Sequence, residues 1–214
     1  MDDEIATIDA DRSLQVFVRD VMIRAYDLAR DHYDPDIGVD GQIFAFAVYK
    51  IAGHLFQQRV DVELPGAAVV WNGRGRELTR SGWHVRWNKV GSSERDHIDH
   101  SFPSRSHSAA LMADANMEQL TLGLRDGQPK NWILAHVGNP VDGLRALYLA
   151  APIEVRAGQV AGWARWVAIY DAARPDELLP GAMPAPGPIE PMPADLPDFE
   201  LRVLPDEGSA ASDA

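Results

Sequence analysis

Residues 41 to 59, GQIFAFAVYKIAGHLFQQR, read as a helix that is apolar on nearly every side, with a narrow polar stripe of Lys50, His54 and Gln57 or Gln58. Such a helix is unstable unless other elements cover most of its surface, so it must lie centrally in whatever the chain builds. Asp40 stands in front of it as a cap. Just upstream, Leu14, Phe17, Val18, Val21, Ala25, Leu28 and Ala29 recur at helical spacing, with Arg19, Arg24, Asp27 and Arg30 mostly on other sides. This predicts an amphipathic helix from Asp11 to Asp31, capped by Asp11 or Ser13. HYDPDIG stops it, because the residue before Pro35 is pushed out of helical geometry. The two segments are expected to form a helical hairpin.

Beyond Arg59 the texture changes. VDVEL, AAVVW and WHVRW, punctuated by Pro65-Gly66, Gly73, Gly75 and Ser81-Gly82, predict two or three antiparallel strands. SAALMADANMEQLTLGL reads as a short helix ended by RDGQP, with LTLGL open to a strand reading. NWILAHVG, LRALYLAAP, IEVRAG and GWARWVAIYDA are short and rich in β-formers. In the last, Trp163, Arg165, Val167 and Ile169 alternate with Ala164, Trp166, Ala168 and Tyr170, which buries aromatics on at least one face. The expected fold class is α+β: an N-terminal helical pair packed on a mixed, mainly antiparallel sheet. With 214 residues the chain has room for one domain plus appendages, and we place that domain at residues 11–174.

Residues 1–10 read as an acidic extension and 175–214 as an acidic, proline-rich tail that holds nine of the fifteen prolines. Such a tail has too little apolar surface to offset chain entropy, so disorder is expected. Within it, Phe199, Leu201 and Val203 alternate with Glu200 and Arg202, the pattern of a strand at 198–204 able to join this sheet or a partner's.

The formal charge of −12 is unevenly spread. Residues 1–11 carry five acids and no base, and 175–214 carry nine acids against Arg202, which leaves 18 acids and 19 bases in residues 12–174. Net acidity therefore does not exclude an anionic ligand. The absence of cysteine excludes disulfides, thiolate zinc sites and a cysteine nucleophile, and fits a reducing compartment. MDDEIATIDAD lacks the basic start of a secretory signal, and no run approaches the roughly 18 apolar residues of a membrane span. A cytoplasmic protein with no membrane partner is expected.

Most of the chemistry-bearing side chains gather in residues 71–107. There, seven bases meet four acids, among Trp71, Trp83, Trp87 and four histidines. Guanidinium groups fork onto phosphate and indoles stack on bases, so Arg74, Arg76, His84, Arg86 and Lys89 are candidate ligand-binding residues. Alternation in WHVRW turns Trp83, Val85 and Trp87 to the core and His84 and Arg86 to the other face. GRG, at 73–75, lacks the length and following lysine of a phosphate loop and reads as a tight turn. Asp96, His97, Asp99, His100 and His107 have the donor chemistry of a divalent metal site for zinc, manganese or iron. RDHIDH departs from the HxHxDH signature of metallo-β-lactamase-like hydrolases, because Arg95 replaces the first histidine and the following glycine is missing.

Arg95 and His100 are similar in spacing to the Arg-x4-His motif of HEPN-type ribonucleases. That resemblance implies Arg95 as a stabiliser of phosphate charge and His100 as a proton-transfer group, needing no metal. His32 belongs to a helix end, His54 to the polar stripe of the second helix, and His136 to a strand end. The functional expectation is a binding or regulatory protein. It would recognise an anionic small ligand or nucleic acid through 71–107, or a protein partner through that region, the tail or a sheet edge. The alternative is a small hydrolase or nuclease with its site in 94–107.

Overall fold

The computed structural model describes residue 8 and residues 11–71, 75–93, 102–103, 107–121, 129–156 and 159–174. Helix α1 (Arg12–Asp31) starts where the Asp11 side chain accepts from the Leu14 amide at 3.1 Å. The second oxygen of Asp11 receives Arg80 at 2.6 Å, so the same carboxylate ties the helix to the sheet. Asp40 caps α2 (Gly41–Glu63), accepting from Gln42 at 2.8 Å and Ile43 at 2.9 Å. The two helices pack through Phe17 on Phe56 and Tyr26 on Phe44.

Helix α2 takes in the first four residues of VDVEL, whose alternation predicts a strand, and Leu64 is its C-cap. Helical periodicity wins because Val60 extends the buried row of Ala52 and Phe56, each one turn after the last. Arg59 and Glu63 add an exposed pair one turn apart, at 2.5 Å. The helix ends only at Leu64 and the Pro65-Gly66 turn, where Gly66 takes φ 81°.

Among the described residues the sheet has seven strands: β1 (Ala67–Trp71), β2 (Arg76–Arg80), β3 (Trp83–Gly91), β4 (Phe102–Pro103), β5 (Asn131–Asn139), β6 (Gly143–Arg156) and β7 (Gln159–Asp171), in the order β1-β2-β3-β5-β6-β7-β4. Every neighbouring pair is antiparallel except β3 with β5. This parallel pair needs a crossover, and the connection contains α3 (His107–Thr121). The fold is α+β, as the helical and strand textures predict, with the N-terminal helical pair on a mixed, mainly antiparallel sheet.

Strand β2, RELTR, shows no apolar alternation, since only Leu78 among its five residues is apolar. It is placed by the Ser81-Gly82 turn, whose φ values of 49° and 82° are those of a two-residue type I′ hairpin. LRALYLAAP and the IEVR of IEVRAG join into the single strand β6, which passes Pro152 through register irregularities on either side of it.

The helical pair covers one face of the sheet, over Leu78, Val85, Trp87, Trp132, Leu134 and Leu149. The opposite face of β5 and β6 buries Ile133, Ala135, Val137 and Ala150, together with Met112 of α3. Strand β5 is thus buried on both faces, which is why NWILAHVG is apolar at nearly every position rather than at every second one. No helix among the described residues is long and apolar enough to cross a membrane.

Fully buried Asn116 stitches α3 to this sheet. Its Nδ2 donates to the carbonyls of Asn131 at 2.8 Å and Pro152 at 2.9 Å, and its Oδ1 accepts from the Asn131 amide at 3.0 Å and side chain at 3.1 Å. Both donors and both acceptor sites of the amide are used. Asn116→Leu is expected to lower stability by about 3 kcal/mol, because it leaves several of these groups unpaired in a buried setting. A fall in the urea midpoint at constant m-value is the expected readout, and an unchanged midpoint refutes the clamp.

Candidate functional site

The two-residue turn fixes the register of β2 on β3: Arg80 lies opposite Trp83, Thr79 opposite His84, and Leu78 opposite Val85. One further step brings Glu77 beside Arg86. Leu78, Val85 and Trp87 face the helical pair and Trp83 packs against the same core, so the intervening Glu77, His84 and Arg86 share the other face. Glu77 is only 6% exposed, an environment in which a carboxylate requires partners. Its Oε1 lies 3.0 Å from His84 Nδ1, and its Oε2 accepts from Arg86 Nε and Nη2 at 3.1 Å each. The side chain of Arg86 is 13% exposed and that of His84 44%.

The chemistry follows from the donor inventory. A carboxylate held by a guanidinium accepts only, so Nδ1 of His84 carries a proton, and Nε2, the outward ring nitrogen, accepts from a ligand when the ring is neutral and donates to one only as the imidazolium. Both contacts of Arg86 fall on one oxygen, which leaves the Nη1 side of its planar fork for a further acceptor. One buried acid thus sets the positions of a half-exposed imidazole and a guanidinium.

The five candidate ligand-binding residues do not share one surface. His84 and Arg86 lie on the face turned from the helical pair. Arg76 lies on the helical side, where its Cδ and Nη1 would both be 3.2 Å from a Cβ at Gly53 and its amide donates to the Tyr49 hydroxyl at 3.4 Å. Lys89 is opposite His136 of β5, two residues beyond Trp87 and on its side. Arg74 lies outside the described residues. So do Arg95, Asp96, His97, Asp99 and His100, and with them most of the metal and Arg/His readings. His107 is the first residue of α3. Among the described residues no three histidine or acidic side chains converge as a metal site. The strand pattern at 198–204 also falls outside the described residues.

His32 caps the C-terminus of α1 and His54 is exposed on α2, while His136 is buried. The Nδ1 atom of His136 lies 2.8 Å from the Tyr26 hydroxyl. Burial, with a smaller contribution from the Lys89 charge, lowers the pKa of His136 to about 3, and burial raises that of Tyr26. Both are neutral across the ordinary pH range. The Tyr26 ring also explains Gly138, where a Cβ would lie 2.5 Å from it and 2.4 Å from the Gly143 carbonyl. This pair is a core contact rather than a site.

An open groove of roughly 400 Å³ between the end of α1 and the β5–β6 turn is lined by Asp27, Arg30, Asp31, Tyr33 and Pro140. Two carboxylates against one guanidinium make it a poor receiver of anions.

Sequence reasoning passes over Glu77, because an acid in a charged pentapeptide reads as solvated surface. The signal that finds it is the Ser81-Gly82 turn: counting outward from a two-residue hairpin puts residue 77 beside 86. No protein-family model matches the chain, and no curated protein or solved structure matches it significantly.

Proposed function

We propose that this protein is a binding module that receives an anionic group, the phosphate of a nucleotide or of a nucleic acid, at His84 and Arg86. The observation that supports this reading is the buried Glu77 carboxylate that holds both side chains at 3.0 and 3.1 Å on one sheet face. Tethering in advance removes most of the ordering entropy that a ligand would otherwise have to offset. The Glu77 charge cancels that of Arg86, so attraction is short-ranged and depends on direct hydrogen bonds donated by Arg86 Nη1 and by Nε2 of His84 in its imidazolium form, with Nδ1 donating to Glu77. A cysteine-free composition supports a cytoplasmic setting.

The test is a titration of the full chain at low salt with inorganic phosphate, ATP and a short single-stranded oligonucleotide, followed through the His84 and Arg86 side-chain resonances. Binding by at least one probe is expected. His84→Ala should weaken it about tenfold, the value of one charge-assisted hydrogen bond, while His54→Ala on α2 leaves it unchanged. Undisturbed His84 resonances with all three probes, or equal effects of the two alanine variants, refute the reading.

A further inference from the structure

Among the described residues β1 is the last strand on its side of the sheet. The phase of the ladder shows which backbone groups it turns outward. The His84 amide donates to the Lys130 carbonyl at 2.9 Å, toward β5, so Thr79 opposite it directs its own N–H and C=O toward β1. Thr79 Oγ1 reaches the Ala68 carbonyl as well, at 3.3 Å. Ala68 and Val70 therefore use their backbone groups on β2, and Val69 and Trp71 turn theirs away from the sheet. The Ala67 amide is taken by Leu64 at 3.1 Å, which leaves the Ala67 carbonyl on the outer side.

Edge strands of this kind normally carry a lysine, a proline or a bulge that blocks pairing. The opposite edge has one in Pro103 of β4, but AAVVW has none and bears no charge. It also presents apolar surface, with Val70 38% and Trp71 69% exposed.

We infer that β1 is a self-association edge, on which a second copy of this chain lays its own β1 antiparallel about a two-fold axis at Val69. The pattern is self-complementary in that register. Trp71 stands opposite Ala67 of the second copy and Val70 opposite Ala68, so a large side chain meets a small one on each face. Val69 exchanges N–H and C=O bonds with its own copy, and the Trp71 amide meets the Ala67 carbonyl. No like charges are opposed, whereas a charged partner strand would find nothing on AAVVW to pair with. A five-residue ladder falls short of the roughly 1,200 Å² of a standard interface, so the dimer is expected to be weak and concentration-dependent.

The experiment is sedimentation equilibrium of the full chain over a concentration series, with Trp71→Lys and Val70→Lys beside it. Hydrogen exchange at the Val69 and Trp71 amides is followed in the same samples. Both substitutions are at exposed positions, and unchanged circular dichroism checks that they preserve the fold. The wild-type mass is expected to rise toward that of a dimer, with the two amides slowing in parallel. Each variant should associate at least about tenfold more weakly, from the lost apolar contact. A wild type that stays monomeric at its highest soluble concentration overturns the inference. So does either variant that retains wild-type association, or amide exchange that does not depend on concentration.

Discussion

Glu77→Leu is expected to destabilise the protein by about 3 kcal/mol, because it strands the mostly buried charge of Arg86 and removes the acceptor for His84 Nδ1. The cause is the charge left behind rather than the attraction lost, and the double variant separates the two. Glu77→Leu with Arg86→Leu removes both ions together and should recover most of the loss, since apolar replacement of a whole buried pair is often close to neutral. Urea unfolding of the single and double variants measures this. A single variant within about 1 kcal/mol of wild type would mean that Glu77 is not the group on which the cluster depends.

Acidification should reveal His136. Its pKa is lowered from 6.5 to about 3 in the folded state, so the unfolded chain takes up the proton first as pH falls. Stability from this residue is therefore fully present above about pH 6.5 and is lost progressively toward about pH 3, at about 1.4 kcal/mol per unit. Between about pH 7 and about pH 4 the contribution should fall by about 3 kcal/mol. His136→Gln keeps a partner for the Tyr26 hydroxyl but cannot titrate, so its stability should fall by that much less over the same interval. Parallel pH profiles for the two proteins would contradict the burial of a neutral imidazole. Carboxylates also lose stability in acid, which is why the difference between the profiles, rather than the wild-type profile, carries the result.

The two carboxylates that cap the long helices were legible because capping is local: Asp11 and Asp40 lie within three residues of the amides they satisfy. The faces of WHVRW were equally legible, since alternation alone separates Val85 and Trp87 from His84 and Arg86. VDVE misleads for the opposite reason. Over four residues a strand period and a helix period cannot be told apart, and the row of Ala52, Phe56 and Val60 decides between them. Half of the candidate site is legible in β3, and the other half is hidden in RELTR, where Glu77 is buried by the strand beside it rather than by its own neighbours in sequence.

The sequence by itself determined the elements that depend on contacts a few residues apart: the two capped helices, the hairpin turn at Ser81-Gly82, the strand-rich second half and the concentration of acid at the chain ends. Tertiary structure alone decided which of those elements meet. It placed β5 parallel to β3 and buried it on both faces. It brought Tyr26 to His136 across 110 positions, sent Arg76 and Lys89 to the helical side, and set Glu77 between His84 and Arg86. Periodicity and capping are imposed by the local backbone and can be read along the chain, whereas burial of a charge depends on which distant surface closes over it.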